Sequence, residues 1–326
     1  MEIDSAYIVI TTINYPTEAV KKFSTMQAYN LVVVGDKKTP TDWSWKNVNY
    51  LSLDIQNTEQ PQFSKMLPVN HDGRKMLGYL HAIKRGANII IDTDDDNIPY
   101  DFWRFPSFES DYDLCIDKGF INVYKEFSEE YVWPRGLPLA CIRSASGLKI
   151  LKGETSMVGV WQGLANDDPD VDAIYRLVFD KPVVFKRRSP VILENGCISP
   201  FNSQNTAFRK ELFPLLYLPS FVTFRFTDIL RGLVAQPIMW LYGYKLGFTE
   251  ATVLQRRNPH DYVKDFISEI PMYENSQKII EIITPRLSTK QSVSSNLYES
   301  YEALYEKNIV PKQELELLQS WLSLIP

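Results

Sequence analysis

The densest group of side chains able to do chemistry is the segment IIIDTDDDN at residues 89–97. Aspartate occupies four of the five positions 92–96, directly after a run of isoleucines typical of a strand buried on both faces. Adjacent carboxylates repel one another unless a cation neutralises them, and Mg²⁺ or Mn²⁺ is held in this way by carboxylates together with substrate phosphates. An isolated Asp-x-Asp is more often a solvated turn, but this density favours a divalent-cation site.

A second candidate group is the segment RRNPHD at residues 256–261. It places His260, one of three histidines in the chain, close to two arginines. Guanidinium groups match the geometry of diphosphate oxygens, which favours a phosphate-binding role. The alternatives are a solvated histidine and a surface ion pair, both of which are common.

The elements that must position these groups alternate between strand and helix patterns over the first hundred residues. Strands are predicted at 6–12, 31–34, 48–53 and 88–91, and helices at 18–29 and 72–86. This alternation predicts a mostly parallel sheet of the α/β class, flanked by helices. Ligands of such sheets bind at the carboxyl ends of the strands. Residues 11–14, residues 35–37 and the aspartate cluster should therefore converge on one edge of the sheet.

The second half of the chain is less regular. The patterns predict strands at 182–186 and 249–255, a helix at 227–246 interrupted by Pro237, and helices that dominate beyond residue 262. Residues 285–295 are polar and rich in breakers, as in a linker. We therefore predict a sheet domain at 1–284 and a helical C-terminal extension at 285–326.

Composition excludes several classes of protein. The 326 residues carry 40 acidic and 35 basic side chains, a net charge of −5 that gives no reason to expect a nucleic-acid partner. The three cysteines are far apart, which argues against a zinc cluster or a disulfide framework and fits a reducing compartment. No signal peptide or transmembrane segment is predicted, so we expect a cytoplasmic protein.

Four blocks of sequence together resemble a known family. They are the threonines near residues 11–17, VVVGDKKTP at 32–40, RKMLGYLHAIKRGANIIIDTDDDN at 74–97, and RRNPHDYVKDF at 256–266. These blocks resemble the STELLO family of glycosyltransferase-like proteins over residues 5–270, and the resemblance fades in the helical tail. A weaker likeness is to the reversibly glycosylated polypeptides, which act as nucleotide-sugar mutases.

The resemblance implies a Rossmann-type fold of the GT-A class and a metal-dependent transfer from a nucleotide-diphosphate sugar, with UDP as the default nucleotide. It implies Mn²⁺ or Mg²⁺ bound by Asp94, Asp96 and His260, with Asp95 against the donor. Arg74 and Lys75 would contact the base or the phosphates, unless they form a solvated helix face. The implied nucleoside pocket consists of Thr11, Thr12, Asn14, Gly35, Asp36 and Lys37.

An inverting transferase also needs a carboxylate that deprotonates the acceptor hydroxyl. Asp228 is the preferred candidate because it opens a predicted helix after an apolar segment, and a helix-capping role is its alternative. Asp172, within an aspartate-rich segment, is the second candidate. A retaining enzyme would require neither.

The expected activity is that of a hexosyl- or pentosyltransferase acting on a glycan, a lipid-linked acceptor or another hydroxyl. The aromatic segment 213–226 is either an acceptor or membrane-contact surface or part of the core. Association into a homo-oligomer stays open. The alternative functions are a nucleotide-sugar mutase and a non-catalytic GT-A module that supports glycan synthesis.

Overall fold

The structure is a computed structural model that describes residues 5–143, 147–256 and 260–326. Its strands are β1 Ala6–Thr12, β2 Asn30–Gly35, β3 Asn49–Leu51, β4 Ile89–Thr93, β5 Asn97–Pro99, β6 Glu109–Cys115, β7 Gly119–Phe120, β8 Ile150–Asp167, β9 Val191–Leu193, β10 Cys197–Ile198, β11 Asn205–Arg209 and β12 Lys245–Gln255. Its α-helices are α1 Glu18–Phe23, α2 Leu53–Glu59, α3 Pro61–Met66, α4 Lys75–Lys84, α5 Ala173–Val178, α6 Thr227–Leu241, α7 Tyr262–Ile283, α8 Val293–Glu306 and α9 Lys312–Leu322.

Ten strands form one sheet in the order β3-β2-β1-β4-β11-β8-β6-β9-β12-β5. The first four strands are parallel, and β11 joins β4 in the antiparallel direction. Strand β1 alternates between the two hydrophobic clusters, with Val9 in one and Ile8 and Ile10 in the other. Because both faces of the sheet are covered, the β-branched runs are buried throughout. The predicted α/β class, with a central sheet flanked by helices, is confirmed. The sheet is mixed rather than mostly parallel, because the strands after β4 pair largely in the antiparallel direction.

Several predicted elements differ from those observed. The predicted strand at 182–186 is wrong, because within it Val183 alone forms an isolated bridge, to Asp167. Helix α6 runs through Pro237 although proline cannot donate the intrahelical hydrogen bond. Almost every residue of α6 up to Met239 is buried, and this burial outweighs the loss of one backbone bond. The aromatic segment 213–226 is mostly core, with Phe221 and Phe224 exposed.

Helix α8 packs on the 3₁₀ segment Lys210–Leu216, and α9 packs on α8 and α3, so both helices share the core of the sheet domain. The indole N–H of Trp321 donates to the Pro214 carbonyl at 3.0 Å. The carboxylate of Glu314 is fully buried and accepts hydrogen bonds from the backbone N–H groups of Ser220 (3.0 Å) and Phe221 (2.7 Å) and from the Tyr217 hydroxyl. The division at residues 284 and 285 stays a prediction, but this tail shares its buried side chains with the sheet domain. Along the described ranges, we find no helix with the length and apolarity needed to cross a bilayer.

We predict that Glu314→Ala lowers the free energy of unfolding by about 3 kcal/mol, because it leaves buried N–H groups without an acceptor. Glu316→Ala on the same helix removes a solvated carboxylate and should change this free energy by less than about 0.5 kcal/mol. Urea denaturation measures both values. Equal effects of the two substitutions would show that the buried contact does not anchor the tail.

Candidate active site

A cleft of about 330 Å³ opens where β1, β2 and β4 end. These strands are parallel, so the polar residues that follow them meet at one edge of the sheet. Arg135, Ser203 and Arg225 come from later segments and line the cleft too. It brings together nine of the side chains predicted from the sequence: Thr11, Thr12, Asn14, Asp36, Asp94, Asp95, Asp96, Asp228 and His260.

The aspartates after β4 are held in different ways. Asp95 turns toward the end of β1, where its carboxylate accepts hydrogen bonds from the Thr12 hydroxyl (2.5 Å) and the Asn14 amide (3.1 Å). The Thr17 hydroxyl donates to the Asp95 backbone carbonyl at 2.6 Å. Asp95 therefore connects residues 94–96, which we call the acidic loop, to β1 and to the start of α1.

Asp94 is held by a buried ion-pair network that reaches into the core. The Lys75 ammonium lies 2.8 Å from both the Asp94 and Asp92 carboxylates, and Arg231 on α6 lies 2.8 Å from the second oxygen of Asp92. Burial lowers the pKa of Lys75, but the carboxylates of Asp92 and Asp94 outweigh burial and hold that pKa well above its ordinary value. Lys75 is therefore charged at neutral pH and neutralises the base of the acidic loop.

The other two proposed metal ligands lie on the same cleft. Asp96 accepts a hydrogen bond from the Gln255 amide at 3.3 Å. His260 contacts the Asp265 carboxylate at 3.1 Å through Nδ1, which orients the ring at the start of α7. Over the described part of the chain, no group of three or more His, Cys, Asp or Glu side chains is arranged to hold a metal ion. A cation here would therefore need oxygens from its substrate or from water, as is usual for Mg²⁺.

The charge balance of the cleft fits such a cation. Among the described lining residues, seven carboxylates face three cationic side chains, those of Lys38, Arg135 and Arg225. A diphosphate would add negative charge to this excess. Oxygen donors and a negative field are the conditions that hard divalent cations require. The side chains present therefore fit Mg²⁺ or Mn²⁺.

Asp228 is tied to Arg135, a residue that sequence analysis missed. One guanidinium nitrogen of Arg135 lies 3.0 and 2.9 Å from the two Asp228 oxygens, and another donates to Asp170 at 2.7 Å. Burial lowers the pKa of Arg135, but these two carboxylates hold it well above the ordinary value. Asp228 also accepts from the Ser203 backbone at 3.2 Å. No motif surrounds Arg135, so the sequence carried no signal for it.

Asp72, which was not among the residues predicted from the sequence, also lines the cleft, from the 3₁₀ turn Asp72–Arg74 before α4. Burial raises the pKa of Asp72 to about 7, Lys75 opposes the rise, and Asp94, Asp228 and Asp92 add to it. The neighbouring His71 accepts the Gly73 N–H at Nδ1 (3.0 Å), so this nitrogen carries no proton. Burial lowers the pKa of His71, although Asp36 partly opposes this shift.

Comparison with known proteins adds the family context. The family model described as STELLO glycosyltransferases matches residues 225–325. The chain is 28% identical over 343 aligned positions to "Probable glycosyltransferase STELLO1" of Arabidopsis thaliana, and 26% identical over 341 positions to "Probable glycosyltransferase STELLO2" of the same plant. The resemblance to the STELLO family is confirmed. Each alignment covers 97% of this chain, and the chain spans 44% of the length of each relative.

The STELLO match also corrects the expected extent of the resemblance. It includes α8 and α9, although the sequence blocks faded after residue 270. Among solved structures, the fold is similar to that of glucosyl-3-phosphoglycerate synthase from Mycobacterium tuberculosis. The complex with Mn²⁺ and UDP-glucose gives a TM-score of 0.43 at 13% identity, covering 84% of this chain and 79% of that one. The complex with Mg²⁺ and UDP gives 0.39 at 11% identity, with the same coverage.

Some residues assigned through the STELLO resemblance do not line the cleft. Arg74 is buried, and its guanidinium donates to the Gln56 side chain (2.9 Å) and the Ser64 hydroxyl (2.9 Å), which ties it to α2 and α3. Arg74 therefore lies neither on the cleft nor on a solvated helix face. Lys75 is buried as well. Gly35 packs against Tyr50, whose hydroxyl would lie 2.4 Å from a Cβ at this position.

Two further predicted residues also lie away from the cleft. They are Lys37, assigned through the STELLO resemblance, and Arg256, predicted from its guanidinium group to bind phosphate. Lys37 is exposed, and its backbone N–H donates to Asp36 at 2.6 Å. Arg256 forms a surface ion pair with Glu18 at 3.4 Å, as the alternative interpretation held. Arg257 lies outside the described residues.

Asp172, the second candidate base, is also outside the cleft. Its carboxylate caps α5 by accepting the Tyr175 N–H (2.8 Å) and also accepts the indole N–H of Trp133 (2.7 Å). Burial raises the pKa of Asp172 to about 6, although these two hydrogen bonds oppose the rise. Asp172 thus positions α5, whereas Asp228 and Asp72 line the cleft.

We predict that Lys75→Met lowers the free energy of unfolding by about 3 to 5 kcal/mol, because it leaves Asp92 and Asp94 without their shared counter-charge. The matched control is Lys84→Met, on the exposed end of the same helix, which should change it by less than about 0.5 kcal/mol. Urea denaturation distinguishes the two. A small effect of Lys75→Met would mean that Arg231 alone neutralises Asp92.

The pKa of Asp172 predicts a pH-dependent stability. A folded-state pKa of about 6 lies above the ordinary value of 3.8. The contribution of the Asp172 carboxyl to the free energy of unfolding is therefore fully present below pH 3.8 and is lost as the pH rises through 6. The stability of the wild type relative to Asp172→Asn should therefore fall by about 1 kcal/mol between pH 5 and pH 7.5. Urea denaturation at both pH values measures this difference. The matched control is Asp101→Asn, at a fully exposed aspartate, for which the stability difference from the wild type should be the same at both pH values. If the difference between the wild type and Asp172→Asn were also the same at both pH values, the predicted pKa shift of Asp172 would be wrong.

Proposed function

We propose that the chain is a metal-dependent glycosyltransferase that moves a sugar from a nucleotide-diphosphate donor to an acceptor hydroxyl. The observation that carries the proposal is the acidic cleft where β1, β2 and β4 end, with Asp94, Asp95 and Asp96 on its floor. The names of the Arabidopsis relatives, which describe probable glycosyltransferases, support the transfer of a sugar. UDP is the proposed nucleotide, and the sugar is a hexose or a pentose.

The residues that line the cleft would have different roles in binding the metal and the nucleoside. Asp94 and Asp96, with His260 beside them, would hold Mg²⁺ or Mn²⁺ against the diphosphate. When bound, the cation stabilises the negative charge that the leaving nucleoside diphosphate gains. Asp36 and Asn14, at the ends of β2 and β1, offer hydrogen-bond partners to the nucleoside. The protein's contribution is to hold these groups in place before the reaction, so that they need not reorganise during it.

A second candidate function is a non-catalytic module that binds a nucleotide sugar. Two observations favour it. Lys75 already occupies one oxygen of Asp94, and both Asp228 oxygens lie against Arg135. Turnover separates the two functions, since a module of this kind would bind a donor without releasing its sugar. Interconversion of sugar ring forms would instead indicate a mutase.

We predict that UDP with Mn²⁺ stabilises the wild-type protein, by about 2.7 kcal/mol at a hundred times the dissociation constant. UDP alone should stabilise it far less, because the acidic cleft repels the diphosphate. Thermal-shift assays with UDP, GDP and CMP, with and without Mn²⁺, measure this effect.

Two variants sharpen the test. Asp96→Ala should abolish the metal-dependent shift and leave the melting temperature of the unliganded protein nearly unchanged. Asp101→Ala removes a fully exposed carboxylate and should keep the shift. If no nucleotide gives a metal-dependent shift in the wild type, the proposed function is refuted.

A further inference from the structure

The seven carboxylates on the cleft are not equally available to a ligand. Six of them are engaged by side chains or backbone groups of the protein, and these contacts hold them in fixed orientations. Each of the six accepts a hydrogen bond from a described group: Asp36 from the His71 backbone, Asp94 from Lys75, Asp95 from Thr12, Asp96 from Gln255, and Asp170 and Asp228 from Arg135.

The Asp72 carboxylate differs from these six. Within residues 5–143, 147–256 and 260–326, no side chain or backbone group lies within hydrogen-bond or ion-pair distance of it, although it lines the cleft. A half-buried carboxylate without a protein partner retains its lone pairs for a molecule in the cleft. It can therefore accept a proton or a hydrogen bond from a substrate hydroxyl.

The turn that carries Asp72 is held rigidly. His71 caps it through the Gly73 N–H, and the His71 N–H donates to Asp36 at 3.1 Å. The Lys75 N–H bonds to the Asp72 carbonyl, and a Cβ at Gly73 would lie 2.2 Å from the Ser220 hydroxyl oxygen. The carboxylate is thus presented from a fixed backbone, as a group that acts on a substrate must be.

The charges around Asp72 favour its uptake of a proton. Lys75 acts on it from α4, Asp92 and Asp94 from β4 and its loop, and Asp228 from α6. His71, His260, Arg135 and Arg225 line the same cleft. Burial and the three carboxylates outweigh Lys75, which leaves the pKa of Asp72 at about 7. A general base works best when its pKa lies near the operating pH.

We propose that Asp72 is the catalytic base of the glycosyl transfer proposed above, on which this assignment rests. The Asp72 carboxylate takes the proton of the attacking hydroxyl while that oxygen bonds to the anomeric carbon of the sugar. The bond from this carbon to the donor phosphate oxygen breaks, and its electron pair leaves with the nucleoside diphosphate. The proton then passes from Asp72 to water. Asp228 is instead a positioning residue, because it holds Arg135 through both oxygens.

The test compares donor turnover with donor binding. With Mn²⁺ and a panel of UDP- and GDP-sugars, Asp72→Asn should reduce the release of free sugar by about 100-fold or more, the usual contribution of a general base. Its thermal shift with UDP and Mn²⁺ should match that of the wild type, which also shows that the variant folds. Asp101→Asn, at an exposed site, should keep both turnover and shift.

Two readouts distinguish a base from a residue with a structural role. In Asp72→Ala, added formate should restore turnover by supplying a carboxylate, whereas Asp96→Ala should stay inactive in formate. The sugar released by the wild type should first appear with inverted anomeric configuration, seen by NMR, because a directly activated hydroxyl displaces the phosphate in one step.

The possible failures are distinct. If Asp72→Asn retains turnover, or if the configuration is retained, the assignment of Asp72 is wrong while the proposed function stands. If Asp72→Asn loses the thermal shift in the same measure as turnover, Asp72 binds the donor and is not the base. If the wild type turns over no donor, the proposed function fails and the assignment with it.

Discussion

The structure depends on one buried carboxylate, that of Asp92. It has no solvent exposure, and it lies between the Lys75 ammonium and the Arg231 guanidinium, each at 2.8 Å. An unpaired charge at this depth would cost several kcal/mol. Strand β4, the start of α4 and the middle of α6 must therefore stay together for the Asp92 carboxylate to keep both of its ion-pair partners. This requirement fixes the two helices relative to β4, the last strand of the parallel group, which pairs with the antiparallel β11.

The same network organises the cleft. Lys75, which pairs with the buried Asp92, also pairs with Asp94. The same ammonium group therefore orients the first carboxylate of the acidic loop. Helix α6, fixed through Arg231, carries Asp228 one turn earlier, and Asp228 binds Arg135. Opposite walls of the cleft are thus joined through charged groups buried beneath it. A site that needs several carboxylates close together requires such support, because their mutual repulsion would otherwise separate them.

The part of the site that local patterns determine could be predicted from the sequence. The apolar runs identified β1, β2 and β4, and parallel pairing then required Thr12, Asp36 and the aspartate cluster to converge. The partners of buried charges could not be predicted in this way. Arg231 and Asp92 are 139 residues apart, and Arg135 and Asp228 are 93 apart. Neither pair carries a local signal, and Lys75 looked like a surface residue because its counter-charges come from another element.

The errors on Asp172 and Asp72 have one cause. Asp172 stands in an aspartate-rich segment, which drew attention to it, but its oxygens are used by the Tyr175 and Trp133 N–H groups. Asp72 stands alone before a basic pair and resembles an ordinary first-turn acid, yet it lines the cleft. Local density of carboxylates therefore indicates where a charge is tolerated, not which carboxylate can react. Reactivity depends on which oxygens the fold leaves without donors, and long-range contacts decide that.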